Sequence, residues 1–276
     1  EWLQGAAVLN ECGAFTTYVA PGKKVYPIQV AEKGFVFMKL KVSGTPGHGS
    51  IPTQEHALAK LAPILSELVK RPHFPYHCHE CVRRYLHGVA EIAPDEMGWI
   101  LRAAASDRVG DAVVTALDNK LFQALTHHTV SPSMVSSGTK VNVLPSTAEL
   151  VLDCRILWGT QPDEFLEEFR QRIPGEYELE VMQAGPPVEN EYVGSPVYAL
   201  AKEVLMQADT VGETHVVPSA IQGLTDARAY AELNIPVFGF TPLWLPPDIN
   251  FGALFHGHDE RVPVHGFRWG AAVLRE

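Results

Sequence analysis

Basic residues are in the minority in this 276-residue chain, where 22 Lys and Arg stand against 32 Asp and Glu and give a formal charge of −10. A protein that tracks a phosphate backbone needs a surplus of Lys and Arg on one face, so no nucleic-acid partner is expected. Apolar runs are short as well. None approaches the roughly 18 residues of a membrane-spanning helix, and no basic-then-apolar signal segment opens the chain, so no membrane association is expected. Cysteine is scarce. Cys12, Cys78, Cys81 and Cys154 are too few for a disulfide scaffold and favour a reducing, cytoplasmic compartment. A Gly-x-Ser-x-Gly elbow is missing, which disfavours a serine hydrolase, and a His-Glu-x-x-His helix is missing, which excludes a zincin. Repeats and low-complexity tracts are absent too.

What is present is ordinary globular composition, 46% hydrophobic and 20% charged, enough for two domains. The chain starts with Glu1 rather than Met, and Gly270 to Glu276 resembles an amphipathic helix cut short, so a fragment of a longer protein is expected. Gly34 to Ser43 alternates, with Val36, Met38, Leu40 and Val42 on one face, and reads as a strand. Gln54 to Lys70 carries Leu58, Leu61, Leu65 and Leu68 at helical spacing, with Pro63 expected to kink it. Residues 72–117 are punctuated by Pro72, Pro75 and Pro94 and read as loops and short helices of opaque role. Thr129 to Ser136 and Ala148 to Ile156 read as strands. A helix follows, with Thr160 as expected cap and Phe165, Leu166, Phe169 and Ile173 buried, and then a strand from Tyr177 to Met182.

Strand, helix, strand, strand, helix, strand is the order of a split β-α-β, ferredoxin-like unit, expected as an inserted α+β domain over residues 34–187. The flanking pieces, 1–33 and 188–276, alternate helix and strand and imply a covered α/β sheet. Its ligand-binding loops are expected at Gly223 to Arg228 and Thr241 to His256.

Three weak signals carry chemistry. Asn10-Glu11-Cys12-Gly13 offers a carboxylate that would ordinarily belong to a capped turn. Phe255-His256-Gly257-His258-Asp259-Glu260-Arg261 offers imidazoles that would ordinarily be a solvated surface. Gly44-Thr45-Pro46-Gly47-His48-Gly49-Ser50 sets a histidine in a Gly-rich loop that lets backbone approach a ligand. A fourth, His77-Cys78-His79-Glu80-Cys81, spaces two thiols as zinc ligands, but no second Cys or His pair follows at knuckle spacing. Two partly buried thiols in an irregular segment is therefore the expectation there.

Taken in order with Asn142-Val143-Leu144-Pro145, Asp153-Cys154-Arg155 and Thr225-Asp226-Ala227-Arg228, these motifs resemble the dinuclear zinc metallopeptidases and amidohydrolases that include aminoacylase, glutamate carboxypeptidase and succinyl-diaminopimelate desuccinylase. The likeness spans nearly the whole chain and is strongest to the aminoacylase-like branch. It implies part of a mixed-sheet α/β catalytic domain carrying an inserted dimerisation or lid domain. It further implies two zinc ions per site, Glu11 on one and His256 on the other, with His258 and Asp259 orienting. His48 would reach the zincs of a partner subunit and hydrogen-bond the developing oxyanion, while Asn142 and Arg228 would grip the carboxylate of an N-acyl amino acid or peptide. Asp153 and Arg155 are expected as a structural ion pair. The family's Glu-Glu general base, His-x-Asp and bridging Asp precede Glu11, where residues 1–10 offer only Glu1 and Asn10. The isolated chain is therefore expected to be inactive. A non-catalytic homodimerisation module is the competing reading.

Overall fold

The computed structural model describes residues 6–255 and 257–276. Its elements in chain order begin with β1 (Val8–Asn10), β2 (Thr17–Ala20), β3 (Lys23–Glu32), β4 (Gly34–Ser43) and β5 (Gly47–His48). Helices α1 (Ala57–Lys70), α2 (Glu80–Ile92), α3 (Asp95–Ala104), α4 (Gly110–Leu117) and α5 (Lys120–Thr126) follow. Then come β6 (Thr129–Ser137), β7 (Val143–Leu144), β8 (Thr147–Ile156), α6 (Pro162–Arg172), β9 (Glu178–Gly185) and β10 (Val188–Glu189). The last are α7 (Pro196–Ala208), β11 (Glu213–Ile221), α8 (Ala227–Ala231), β12 (Val237–Gly239) and α9 (Val264–Val273). They form two compact units: residues up to Glu32 with Cys78–Asn119 and those from Val188 on, and Lys33–His77 with Lys120–Pro187. Segment 78–119 thus packs with the first unit, not within an unbroken 34–187 unit.

The second unit has the expected ferredoxin-like order. Its sheet runs β6-β8-β4-β9, every neighbour antiparallel. The alternation of β4 works because register sets apolar opposite apolar: Val36 faces Cys154, Met38 faces Leu152, Leu40 faces Leu150 and Val42 faces Ala148. Those side chains are buried with Leu61, Ile64 and Leu68 of α1 and Phe165 and Phe169 of α6, so both helices cover one face. Two local details differ from the sequence reading. Ile64 rather than Leu58 sits inward on α1. The cap of α6 is Gln161, whose backbone N–H bonds the Glu164 carboxylate at 2.7 Å, because Pro162 occupies the first helical position. Asp153 and Arg155 do pair, Nε to Oδ1 at 2.6 Å and Nη2 to Oδ2 at 2.9 Å.

This unit begins with a wholly buried ammonium. Lys33 Nζ donates to the carbonyls of Ala124 at 2.8 Å and His127 at 2.7 Å. Burial, helped by Arg155, lowers its pKa to about 7. Nearby, His128 Nδ1 accepts the Leu157 N–H at 2.8 Å, and burial lowers that imidazole's pKa to about 3, with Lys33 and His77 acting the same way.

In the first unit β3 is the central strand. It pairs with β11 in parallel and with β2, β10 and β12 antiparallel, while β1 adds to β12 in parallel. The sheet is mixed. Helix α2 turns Cys81, Val82, Leu86 and Val89 inward, and Gly88 permits its close approach, since a Cβ there would stand 2.7 Å from Val217 Cγ1. Helix α9 presents Gly266 and Gly270 to the carbonyls of Trp244 and Pro242, closer than any Cβ could fit. Ser195 caps α7 by accepting the Tyr198 N–H, as its Ser-Pro start implies. Lys24 lies buried on β3 because Asp209 neutralises it, Nζ to Oδ2 at 2.5 Å, and the same oxygen accepts the Tyr26 hydroxyl at 2.7 Å. Among the described residues no helix is long and apolar enough to cross a membrane.

Two outcomes follow from these buried charges. Asp209→Ala strands the Lys24 ammonium and should cost about 3–5 kcal/mol in urea unfolding. For His128, the unfolded chain holds more protons wherever pH lies below its unfolded pKa of 6.5 and above its folded value of about 3. Its stabilising contribution is therefore full above pH 6.5 and lost as pH falls toward 3. Calorimetry across that window should show a shallower decline in Tm for His128→Asn than for the parent chain.

Candidate functional site

In the first unit the site is built on the end of β1. Asn10 pairs with Gly239 of β12, and the next residue, Glu11, is exposed. The backbone then passes through three successive positive φ values, Cys12 at 69°, Gly13 at 73° and Ala14 at 58°. Two of these are not glycine, a costly arrangement that persists only when surroundings enforce it. Here Ala14 N–H bonds the Pro27 carbonyl at 2.6 Å, Phe240 N–H bonds that of Asn10 at 2.9 Å, and Thr241 N–H bonds that of Gly13 at 3.2 Å. Gly13 is required at the centre: a Cβ would lie 2.4 Å from the Gly239 carbonyl oxygen and 2.8 Å from that of Pro27. The turn thereby presents Glu11 from a rigid base. Burial, then the charges of Glu11 and Glu32, raises the Cys12 pKa, so that thiol stays protonated.

A buried carboxylate organises the neighbouring segment. Glu32, at the end of β3 and 1% exposed, accepts from Thr225 N–H at 3.0 Å and Thr225 Oγ1 at 2.8 Å, and lies 3.3 Å from Arg228 Nε. Asn10 Nδ2 donates to the same Thr225 hydroxyl at 3.2 Å. Burial pushes the Glu32 pKa up, with the Thr225 hydroxyl and the Arg228 guanidinium acting against the shift. The Thr225 to Arg228 motif and the Asn10-Glu11 motif thus meet through Thr225, and Arg228 is oriented by Glu32 from the first turn of α8. Glu32 escapes the sequence reading. Its only local signal is an acidic residue closing an apolar strand run, and its partners lie almost two hundred positions away.

The second unit contributes His48 and Asn142. Strands β5 and β7 form a two-stranded ribbon with His48 opposite Val143, and Gly49 N–H bonds the Asn142 carbonyl at 2.9 Å. Both residues are exposed on it. Ser50 N–H lies 3.2 Å from His48 Nδ1, and Ser50 Oγ is 2.7 Å from the same atom. A backbone N–H only donates, so Nδ1 is the acceptor and Nε2 is the nitrogen left to donate. A cleft of about 460 Å³ lies beside the ribbon, lined by His56, Ser137, Lys140, Val143 and Pro145 among others.

Of the five expected site residues, Glu11 and Arg228 therefore stand in one unit on segments joined by Thr225, and His48 and Asn142 stand on one ribbon of the other. His256 lies outside the described residues. Its neighbour Phe255 packs its ring against Phe15 and Phe251, at centroid distances of 6.2 Å and 4.9 Å. Among the described residues Glu11 belongs to no group of three His, Cys, Asp or Glu side chains close enough to share an ion. A lone exposed carboxylate does not fit a zinc centre, which needs three or four such ligands, so no chemistry of a metal is derived from it.

Residues 30–180 match the family model described as a peptidase dimerisation domain. The N-fatty-acyl-amino acid synthase/hydrolase PM20D1 of Mus musculus is 27% identical over 254 residues, which cover 89% of this chain and 49% of that protein. A probable carboxypeptidase S-like 2 of Dictyostelium discoideum is 24% identical over 266 residues, 91% of this chain and 48% of that protein. The chain spans about half the length of the curated relatives it matches. In fold, it resembles an M20 family metallo-carboxypeptidase from Sulfolobus solfataricus with TM-score 0.55 and 16% identity, over 96% of this chain and 61% of that one.

Gly13→Ala tests the turn that presents Glu11. It should lower stability by at least the roughly 1–3 kcal/mol of a strained residue, because carbonyl oxygens occupy the Cβ position. Thermal unfolding of the variant checks this.

Proposed function

Because this chain belongs to the M20 peptidase family, whose dimerisation domain it carries, we propose that it is part of a metal-dependent hydrolase of N-acyl amino acids or small peptides. The observation that carries the reading is His48. Its Nδ1 is occupied as an acceptor by Ser50, which leaves Nε2–H as a donor on the β5-β7 ribbon, the requirement for a group that stabilises an oxygen gaining negative charge. His48 donates to the amide carbonyl oxygen of the substrate as water adds. Asn142, on the same ribbon, offers amide donors to the substrate carboxylate, and Arg228 contributes a guanidinium already aligned by Glu32. Glu11 and His256 are the two residues of this chain that the family resemblance would assign as metal ligands in the whole protein, where the remaining ligands would complete the set.

The dimerisation unit supports a homodimer. Strand β6 ends the sheet of the second unit, the position from which backbone groups can pair with a further strand, and its Met134 and Val135 are exposed. His48 then acts in the site of the partner subunit.

The general base and the remaining ligands that the family resemblance implies have no counterpart ahead of Glu11 in residues 1–10, so the 276-residue chain by itself should not hydrolyse amides. Zinc-dependent turnover by this chain would refute that division of labour. In the whole protein, His48→Ala should lower kcat by about 10²–10³-fold, the cost of one oxyanion donor, with bound zinc retained. Equal loss of zinc and turnover would contradict the oxyanion role, and an unchanged kcat would remove His48 from the reaction.

A further inference from the structure

The cysteine-containing segment ahead of α2 is left unused by the hydrolytic reading, and in the fold it acquires a partner invisible in the sequence. His79 is the N-cap of α2, and its Nδ1 accepts the Cys81 N–H at 3.4 Å while standing 3.4 Å from Cys81 Sγ. Strand β10, paired antiparallel with β3, delivers Glu189 to the same place, with its Oε2 3.7 Å from His79 Nε2. Taking one ligand atom from each of His79, Cys81 and Glu189, all lie within 4.8 Å of one another.

Those separations, up to 4.8 Å, are wider than a zinc tetrahedron by roughly an ångström. Bonds of about 2.0–2.2 Å to nitrogen and oxygen and about 2.3 Å to sulfur at tetrahedral angles put neighbouring ligand atoms roughly 3.3–3.6 Å apart. Small side-chain adjustments close the remaining gap. We propose that His79, Cys81 and Glu189 form a zinc-binding site separate from the residues assigned to hydrolysis. A thiolate with an imidazole selects zinc over magnesium or calcium, which take oxygen ligands. Three protein ligands leave the fourth position to water, and knuckle spacing is unnecessary because the third ligand comes from a distant strand.

Proton release accompanies binding. Burial and the Glu189 charge hold the Cys81 thiol protonated, and a cation between them reverses both effects, so the Sγ proton leaves as the Zn–S bond forms. His79 gives up its cap acceptor either way: Nδ1 ligates while Nε2 keeps its proton, or the proton moves to Nδ1 and Nε2 ligates. The ion joins the first turn of α2 to β10.

Cobalt(II) titration of the 276-residue chain tests the site, because a cysteine thiolate on cobalt gives an intense near-ultraviolet charge-transfer band. The band should appear with the parent chain and vanish in Cys81→Ser. Glu189→Gln alters a side chain 40% exposed, so folding is preserved, and it should weaken cobalt binding by at least the roughly ten-fold that even an outer-shell partner costs. Glu11→Gln should leave the band and the affinity unchanged, which separates this site from the hydrolytic one. A band that survives Cys81→Ser, or one lost in Cys12→Ser instead, overturns the proposal. An unaltered affinity in Glu189→Gln overturns it as well.

Discussion

Two ionisable side chains of opposite sign are adjacent in the sequence and both out of water, and the rest of the architecture follows from how each is compensated. Glu32 ends β3 with its carboxylate bonded to Thr225 and facing Arg228. Lys33 begins the next unit with its ammonium on the carbonyls of Ala124 and His127. Burying an unpaired charge costs far more than either set of bonds returns, so each partner set is obligatory. The boundary between the units falls at the peptide bond joining these residues.

The same economy governs the chemistry-bearing residues. Glu11 is displayed by a turn whose left-handed backbone is enforced by Pro27 and Gly239, and Arg228 is displayed by a carboxylate that is itself buried. His48 owes its tautomer to the serine two residues on, a purely local arrangement. Rigid presentation of a few side chains, with the surrounding protein carrying the strain, is the pattern expected of a site that binds a developing charge. Each unit holds a portion of the set, in keeping with a family in which a dimerisation domain accompanies a peptidase.

The sheet of the second unit was legible in the sequence because one of its faces is buried: β4 and β8 alternate cleanly, and the strand order follows from the element order. Cap position was less legible. Thr160 has the right chemistry, but Pro162 fixes the first helical residue and moves the cap to Gln161. The stretch 72–117 looked irregular because three prolines dominate its appearance, yet Val82, Leu86 and Val89 already carry a helical period, and α2 uses it. The motif residues Glu11, His48, Asn142 and Arg228 could be named from resemblance alone. Their supports could not, since Glu32 meets Thr225, Lys24 meets Asp209 and His79 meets Glu189 only after long segments have folded between them.

Helix α9 shows how unevenly such a chain tolerates change. Its outward positions, Val264 and Phe267, are open to water and impose little on their neighbours. Gly266 and Gly270, one turn apart, lie where a single methyl group would collide with the Trp244 and Pro242 carbonyls. Replacing either would lever residues 242–244 outward, and those residues begin the connection that ends at Phe251 and Phe255 against Phe15. Two hydrogen atoms in place of methyls therefore set the depth at which an entire connection rests, so its placement is encoded in a helix outside the candidate site.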